Sequence, residues 1–214
     1  MTRRLTAKAA PLLLLLGAAA LGGCFAAATP APTGSVRGTG CPTSQPPLLP
    51  AGEERLVTVQ TALGTIRITI EADLSPIAAG NFVALASCDY YDGVVFHRAA
   101  TLRDGTPFVI QGGDPGGTGR GGPGYTIADE PVTTAYVRGT LAMARSEAPH
   151  SVGSQFFIVL DDGARPVLES ANTYQIIGSV SAGMETADAI YGAAAGVELP
   201  TNPVTMTDVS VTQP

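Results

Sequence analysis

Two stretches, Phe108-Val109-Ile110-Gln111-Gly112-Gly113-Asp114 and Gly153-Ser154-Gln155-Phe156-Phe157-Ile158, decide how this chain folds. In the first, an apolar run is stopped by two glycines and an aspartate, the punctuation that ends a strand in a turn. In the second, a Gly-Ser pair opens a strand-like run from Gln155 to Leu160. Similar short runs occupy Val94 to His97, Thr140 to Ala144 and Tyr174 to Val180. Upstream, Val57 and Val59, then Ile66, Ile68 and Ile70, alternate with polar residues around Leu63-Gly64, as a hairpin requires. Val204 to Val211 reads as a closing strand. Ser75-Pro76 opens a helix running through Cys88, with Ser as cap and Pro in the first turn. Ala182 to Tyr191 reads as a second helix, with Met184, Ala187 and Ile190 on one side. Many short strands, glycine-rich turns and two helices predict a mostly β domain, either a barrel or a sandwich.

The flanks have another composition. Arg3, Arg4 and Lys8 precede an apolar stretch, Leu12 to Leu16 and Ala18 to Leu21, that is short for a membrane span. Small residues follow, as in an export signal. They end in Leu21-Gly22-Gly23-Cys24, which resembles the lipobox of bacterial lipoproteins. Residues 1–23 are therefore expected to be a signal peptide, with Cys24 lipidated as the first mature residue. That would hold the protein to the outer face of the cytoplasmic membrane. A plain secretory signal would release it instead. Residues 24–54, rich in Ala, Pro, Thr, Ser and Gly, read as a flexible tether, and residues 55–214 as the domain. Cys41 and Cys88 then remain, either bridged in an oxidising compartment or buried as free thiols.

Net charge is −6 and the isoelectric point is near 4.8, which argues against a nucleic-acid partner. His97 and His150 are the only histidines, and neither has cysteine or carboxylate at ligand spacing, so no metal site is expected. Gly117-Thr118-Gly119-Arg120-Gly121-Gly122 has the string of a dinucleotide loop but is followed by Pro123-Gly124 and no helix; it reads as a surface turn. Ser154 has no recognisable triad, so hydrolysis is not expected.

Phe96-His97-Arg98, Phe108 to Asp114 and Gly153 to Ile158, in this order and at these separations, resemble the cyclophilin family of peptidyl-prolyl isomerases. Leu141-Ala142-Met143-Ala144-Arg145-Ser146, with Ala148-Pro149-His150-Ser151, is similar to its bacterial branch. The resemblance spans roughly Val57 to Val211. It implies a closed eight-stranded antiparallel barrel capped by two α-helices. It also implies an enzyme without a cofactor, acting on proline-containing polypeptides; a monomer is expected.

The chemistry suits those residues. Rotation about an amide meets a barrier of about 18–20 kcal/mol, raised by lone-pair donation into the carbonyl. In the twisted state the nitrogen is pyramidal and more basic. A fixed guanidinium can donate a hydrogen bond to it, and an apolar cup disfavours the charge-separated planar form. Arg98 is the candidate catalytic residue, because arginine keeps its charge and presents a rigid fork. Phe108, Val109, Phe157, Leu168 and Tyr174 would form the cup. By resemblance, Gln111 and Gln155 position substrate or Arg98, and the backbone of Ala144, Arg145 and Ser146 pairs with an extended peptide.

Some positions depart from the family. Val109 stands where methionine is usual, Arg145 where eukaryotic members often carry asparagine, and Tyr174 where they carry histidine. No tryptophan is present, so cyclosporin binding is not expected. Val109 and the unusual stretch Asp161 to Thr173 leave room for a second reading, a proline-peptide binding module or holdase with little turnover.

Overall fold

The computed structural model describes residues 40–213. The expected signal segment, Cys24 and the first part of the tether lie outside them.

The hairpin forms as its alternation demands. Strands β1 (Glu54–Thr61) and β2 (Gly64–Glu71) pair antiparallel with Val57 opposite Ile68 and Val59 opposite Ile66. Those side chains and Ile70 are fully buried, so one face of the hairpin is core. The remaining strands are β3 (Val95–Phe96), β4 (Arg98–Thr101), β5 (Pro107–Gly112), β6 (Thr140–Met143), β7 (Phe156–Val159), β8 (Ile176–Ala182) and β9 (Val204–Thr212). They lie in the order β3-β9-β1-β2-β8-β6-β7-β5-β4. The two ends of that order, β3 and β4, are neighbours in the chain, parted only by His97. Covalent continuity therefore brings the sheet round into a nearly closed barrel. Nine segments replace the expected eight because one strand is interrupted at His97.

Inside the barrel Phe82, Tyr91, Phe96 and Phe156 meet in tilted and edge-to-face pairs with centroids 5.1–6.1 Å apart. Such pairs add to the roughly 1.5–3 kcal/mol that burying each large apolar side chain contributes. Phe82 comes from α1 (Pro76–Ala86), which packs on β1, β2, β8 and β9. The helix α3 (Met184–Ala193) packs on β2, β4 and β5.

Three details differ from expectation. Ser75 does not cap α1. The carboxylate of Glu130, distant in sequence, accepts the N–H groups of Ile77 and Ala78, each at 2.9 Å. A carboxylate matches the positive end of the helix better than a hydroxyl. Second, the stretch after Asp161 holds an unforeseen short helix, α2 (Arg165–Ala171). Asp161 caps the turn before it, Pro166 sits in its first turn, and Asn172 ends it in the left-handed region.

Third, residues 40–53 are part of the domain rather than of a flexible tether. Cys41 and Cys88 are joined by a disulfide. Leu49 is buried and its N–H donates to the carbonyl of Pro76 at 2.9 Å, while the side chain of Gln45 accepts from the N–H of Ala128. The strap crosses α1 at Gly80, where a Cβ would lie 2.4 Å from the carbonyl oxygen of Pro47. The helix is thus covered by the barrel on one side and the strap on the other. That is why its apolar residues do not keep to a single stripe. No described helix is long and apolar enough to cross a membrane.

The disulfide closes a loop of 47 residues, for which chain entropy predicts up to about 4 kcal/mol of stabilisation. The double variant Cys41→Ser, Cys88→Ser should lower the unfolding midpoint in guanidinium. It should also open residues 40–50 to protease before the barrel yields; a midpoint equal to wild type would show that the strap is held without the bridge.

Candidate active site

The barrel wall carries the site on its outside. Arg98 lies opposite Gln111, Gln111 opposite Phe157, and Phe157 opposite Ala142, across β4, β5, β7 and β6. Directly paired residues emerge on one face, so these four form a row. The alternate row, Ala99, Ile110, Ile158 and Leu141, belongs to the interior core. A second apolar cluster covers the outer face, with Ala100, Val109, Ala142, Phe157 and Val159 packed against Tyr136, Ala164, Leu168 and Ile176. Both faces of β6 and β7 are consequently buried.

A cavity of about 130 Å³ opens in this outer cluster. Its lining is Arg98, Phe108, Val109, Gln111, Ala144, Arg145, Phe157, Leu168 and Tyr174. That volume accommodates a five-membered ring. Phe157 and Tyr174 meet edge to face at 5.4 Å. Leu168 reaches the cavity from α2, the element that sequence periodicity did not reveal. Tyr136, also unforeseen, holds the wall from behind: its hydroxyl donates to the carbonyl of Tyr174 and accepts the Tyr174 N–H. Burial pushes the Tyr136 phenol up to about 12, so it remains a donor at any working pH.

Arg98 is held at both ends of its guanidinium. Nε donates to Oε1 of Glu198 at 2.7 Å, and Nη1 donates to Oε1 of Gln111 at 3.1 Å. The Gln111 amide donates in turn to Gln155 at 2.9 Å, and Gln155 donates to the carbonyl of Gly121 at 2.9 Å. Gln155 and Ser146 do not line the small cavity. They line a groove of about 700 Å³ beside it, which shares Gln111, Ala144 and Arg145 and is walled by residues 119–126. The Arg145 side chain turns into its own loop, pairing with Asp129 at 2.9 Å and donating to the carbonyls of Ser146 and Ala148.

The glycine-rich loop forms one wall of that groove, as a turn without a following helix. Buried Asp114 organises it, accepting the N–H groups of Gly116, Thr118 and Arg120 and the Thr118 hydroxyl. Gly121 must be glycine here, since a Cβ would sit 2.0 Å from Oδ1 of Asp114. His97, beside Arg98, is buried, and burial lowers its pKa. Among the described residues no three His, Cys, Asp or Glu side chains gather as a metal would need.

Comparison with known proteins agrees with this geometry. The family model described as cyclophilin type peptidyl-prolyl cis-trans isomerase/CLD matches residues 56–211. The chain belongs to the cyclophilin family. Its activity class is that of a peptidyl-prolyl cis-trans isomerase. Peptidyl-prolyl cis-trans isomerase-like 1 of Rhizopus delemar is 43% identical to this cyclophilin over 137 residues, covering 62% of the chain and 77% of the relative. Peptidyl-prolyl cis-trans isomerase CYP65 of Arabidopsis thaliana is 44% identical over 108 residues, which take in 48% of this chain but 17% of that longer protein. A crystal structure of a Cryptosporidium parvum cyclophilin type peptidyl-prolyl cis-trans isomerase superposes with a TM-score of 0.64 at 29% identity. That match covers 75% of this cyclophilin and 99% of the other chain.

The loop makes a pH prediction. Burial alone would raise the Asp114 carboxyl, but hydrogen bonds from the loop's backbone N–H groups, Gly116 and Thr118 among them, and from the Thr118 hydroxyl outweigh it and hold the group at about 2. A depressed carboxyl contributes stability that is complete above about pH 4 and is lost as pH falls toward 2. Over that window wild type should lose about 2 kcal/mol more unfolding free energy than Asp114→Asn. Equal slopes for the two proteins would show that the loop amides do not hold the charge.

Proposed function

We propose that this cyclophilin turns X–Pro bonds in exported proteins, with Arg98 as the catalytic residue and the 130 Å³ cavity as the proline pocket. The observation that carries the reading is the fork of Arg98, clamped by Gln111 and Glu198 at the rim of an apolar hollow floored by Phe157. The uncatalysed reaction takes tens of seconds or longer. With the ring seated among Val109, Phe157 and Leu168, the imide leaves water and its planar, charge-separated form is disfavoured. As the bond twists, the nitrogen gains a lone pair, and a guanidinium N–H of Arg98 donates to it. Both effects are greater in the twisted state than in either planar isomer, which is the condition for catalysis. The groove along Ala144, Arg145, Ser146 and Gln155 takes the extended peptide on the other side of the proline.

The same reading places the protein in the bacterial branch, as a monomer lipidated at Cys24 on the extracytoplasmic face of the cell membrane. Three features support it: the Leu21–Cys24 lipobox, the Leu141–Ser146 segment, and the Cys41–Cys88 bridge, a bond that persists where thiols are oxidised. Mass spectrometry of the membrane-bound chain should find an N-terminus at Cys24 carrying acyl chains, and Cys24→Ala should move the protein to the soluble fraction. An unmodified terminus elsewhere would remove the anchor.

In a protease-coupled assay on a short X–Pro peptide, Arg98→Ala should lower kcat/KM by roughly 10²–10³-fold, the usual cost of losing one transition-state donor. The unfolding midpoint should stay near wild type. Undiminished activity would take Arg98 out of the mechanism.

A further inference from the structure

We infer that Glu198 is a positioning residue for Arg98, holding the guanidinium in its working orientation before substrate arrives. The inference rests on the reading of Arg98 as the donor to the imide nitrogen. Glu198 stands 100 residues from Arg98 in sequence, on the connection between α3 and β9, and no motif announces it. Its carboxylate takes the Nε–H of Arg98 at 2.7 Å, while Gln111 takes an Nη1–H at 3.1 Å. Arginine has five N–H donors, so this two-point hold fixes the plane of the fork and leaves the other donors for a ligand. A long side chain fixed beforehand does not have to be frozen in the transition state.

A purely stabilising role fits the pair poorly. The Arg98 and Glu198 side chains are 33% and 59% exposed, and pairs in such positions contribute little to folding. The loop also has a hold of its own. The N–H of Ala99 donates to the carbonyl of Glu198 at 2.9 Å, and the N–H of Val197 donates to the carbonyl of Ala194 at 2.9 Å. Both bonds are backbone to backbone, so they survive a change of side chain at 198. The loop should therefore remain docked in a Glu198 variant, with Arg98 released at one end.

The test is a kinetic cycle on an X–Pro peptide with Glu198→Ala, Glu198→Gln, Arg98→Ala and the double variant. Glu198→Ala should lower kcat about 10-fold with KM within 2-fold of wild type. Glu198→Gln, whose amide oxygen still accepts the Nε–H, should recover most of the loss. In the Arg98→Ala background the substitution at 198 should have no effect. In an ¹⁵N spectrum the Arg98 Nε–H should exchange slowly with water in wild type and Glu198→Gln, and fast in Glu198→Ala. An unchanged or raised kcat in Glu198→Ala, with Arg98→Ala inactive, would overturn the inference and leave the role of Arg98 standing. A loss confined to KM, or one that persists without Arg98, would overturn it equally. Full activity in Arg98→Ala would instead sink the underlying reading.

Discussion

The carbonyl of Gly121 can only accept a hydrogen bond, and the side chains leading to Arg98 are ordered by that fact. Gln155 must turn its NH₂ toward that carbonyl. Its oxygen then faces Gln111, which must donate, and the oxygen of Gln111 is left facing Arg98. Two amides that could each be flipped are thereby given one orientation, and the guanidinium meets an acceptor rather than a donor. The loop that carries Gly121 is itself held by Asp114, whose charge the loop amides keep in place. A turn-rich loop some distance along the chain thus sets the direction of the hydrogen bond that reaches the candidate catalytic group.

The barrel makes such a row possible because register, once set by the core, cannot slip. Moving β5 by one residue against β4 would exchange Gln111 for Ile110 on the outer face, putting an amide in the interior and an isoleucine at the rim. Ile110, Ile158 and Leu141 are fully buried inside, so that exchange is strongly unfavourable. The apolar interior therefore fixes the polar exterior. Around Arg98 and Gln111 the outer face is apolar too, with Ala100, Val109, Ala142, Phe157 and Val159. A small cluster under α2 supplies the dry ground in which one polar contact can discriminate between amide geometries.

Much of this was legible in the chain. The hairpin and the strands ending at Gly112-Gly113 and beginning after Gly153-Ser154 follow from short-range patterns, whereas the grouping of Arg98, Gln111 and Phe157 in one site follows from the resemblance to the cyclophilin family. The misses share a physical cause. Glu130 caps α1, Glu198 holds Arg98 and Tyr136 braces Tyr174 through contacts made by side chains that no local periodicity marks. The short helix α2 left signals, a capping Asp161, Pro166 and Asn172, but seven residues are too few for a helical stripe. Residues 40–53 looked like a linker because the stretch they belong to is rich in Ala, Pro, Thr, Ser and Gly. Composition cannot show that Gly80 leaves a path for the strap across the helix.

The structure divides its labour by depth. The aromatic interior lies on the other face of the wall from Arg98, and the strap and the disulfide pack on α1. The polar chain from Glu198 to Gly121, in turn, is partly exposed and offers little to folding. A fold so arranged can change its rim without endangering its core. That is consistent with a valine at 109 and a tyrosine at 174 in a barrel that keeps its shape against solved relatives. The constraint runs one way only. The rim can vary because the core does not, whereas a substitution at Gly178, whose Cβ would lie 2.0 Å from the carbonyl oxygen of Thr69, would disturb the pairing of β2 with β8, and through β8 the strands β6 and β7 that carry Phe157.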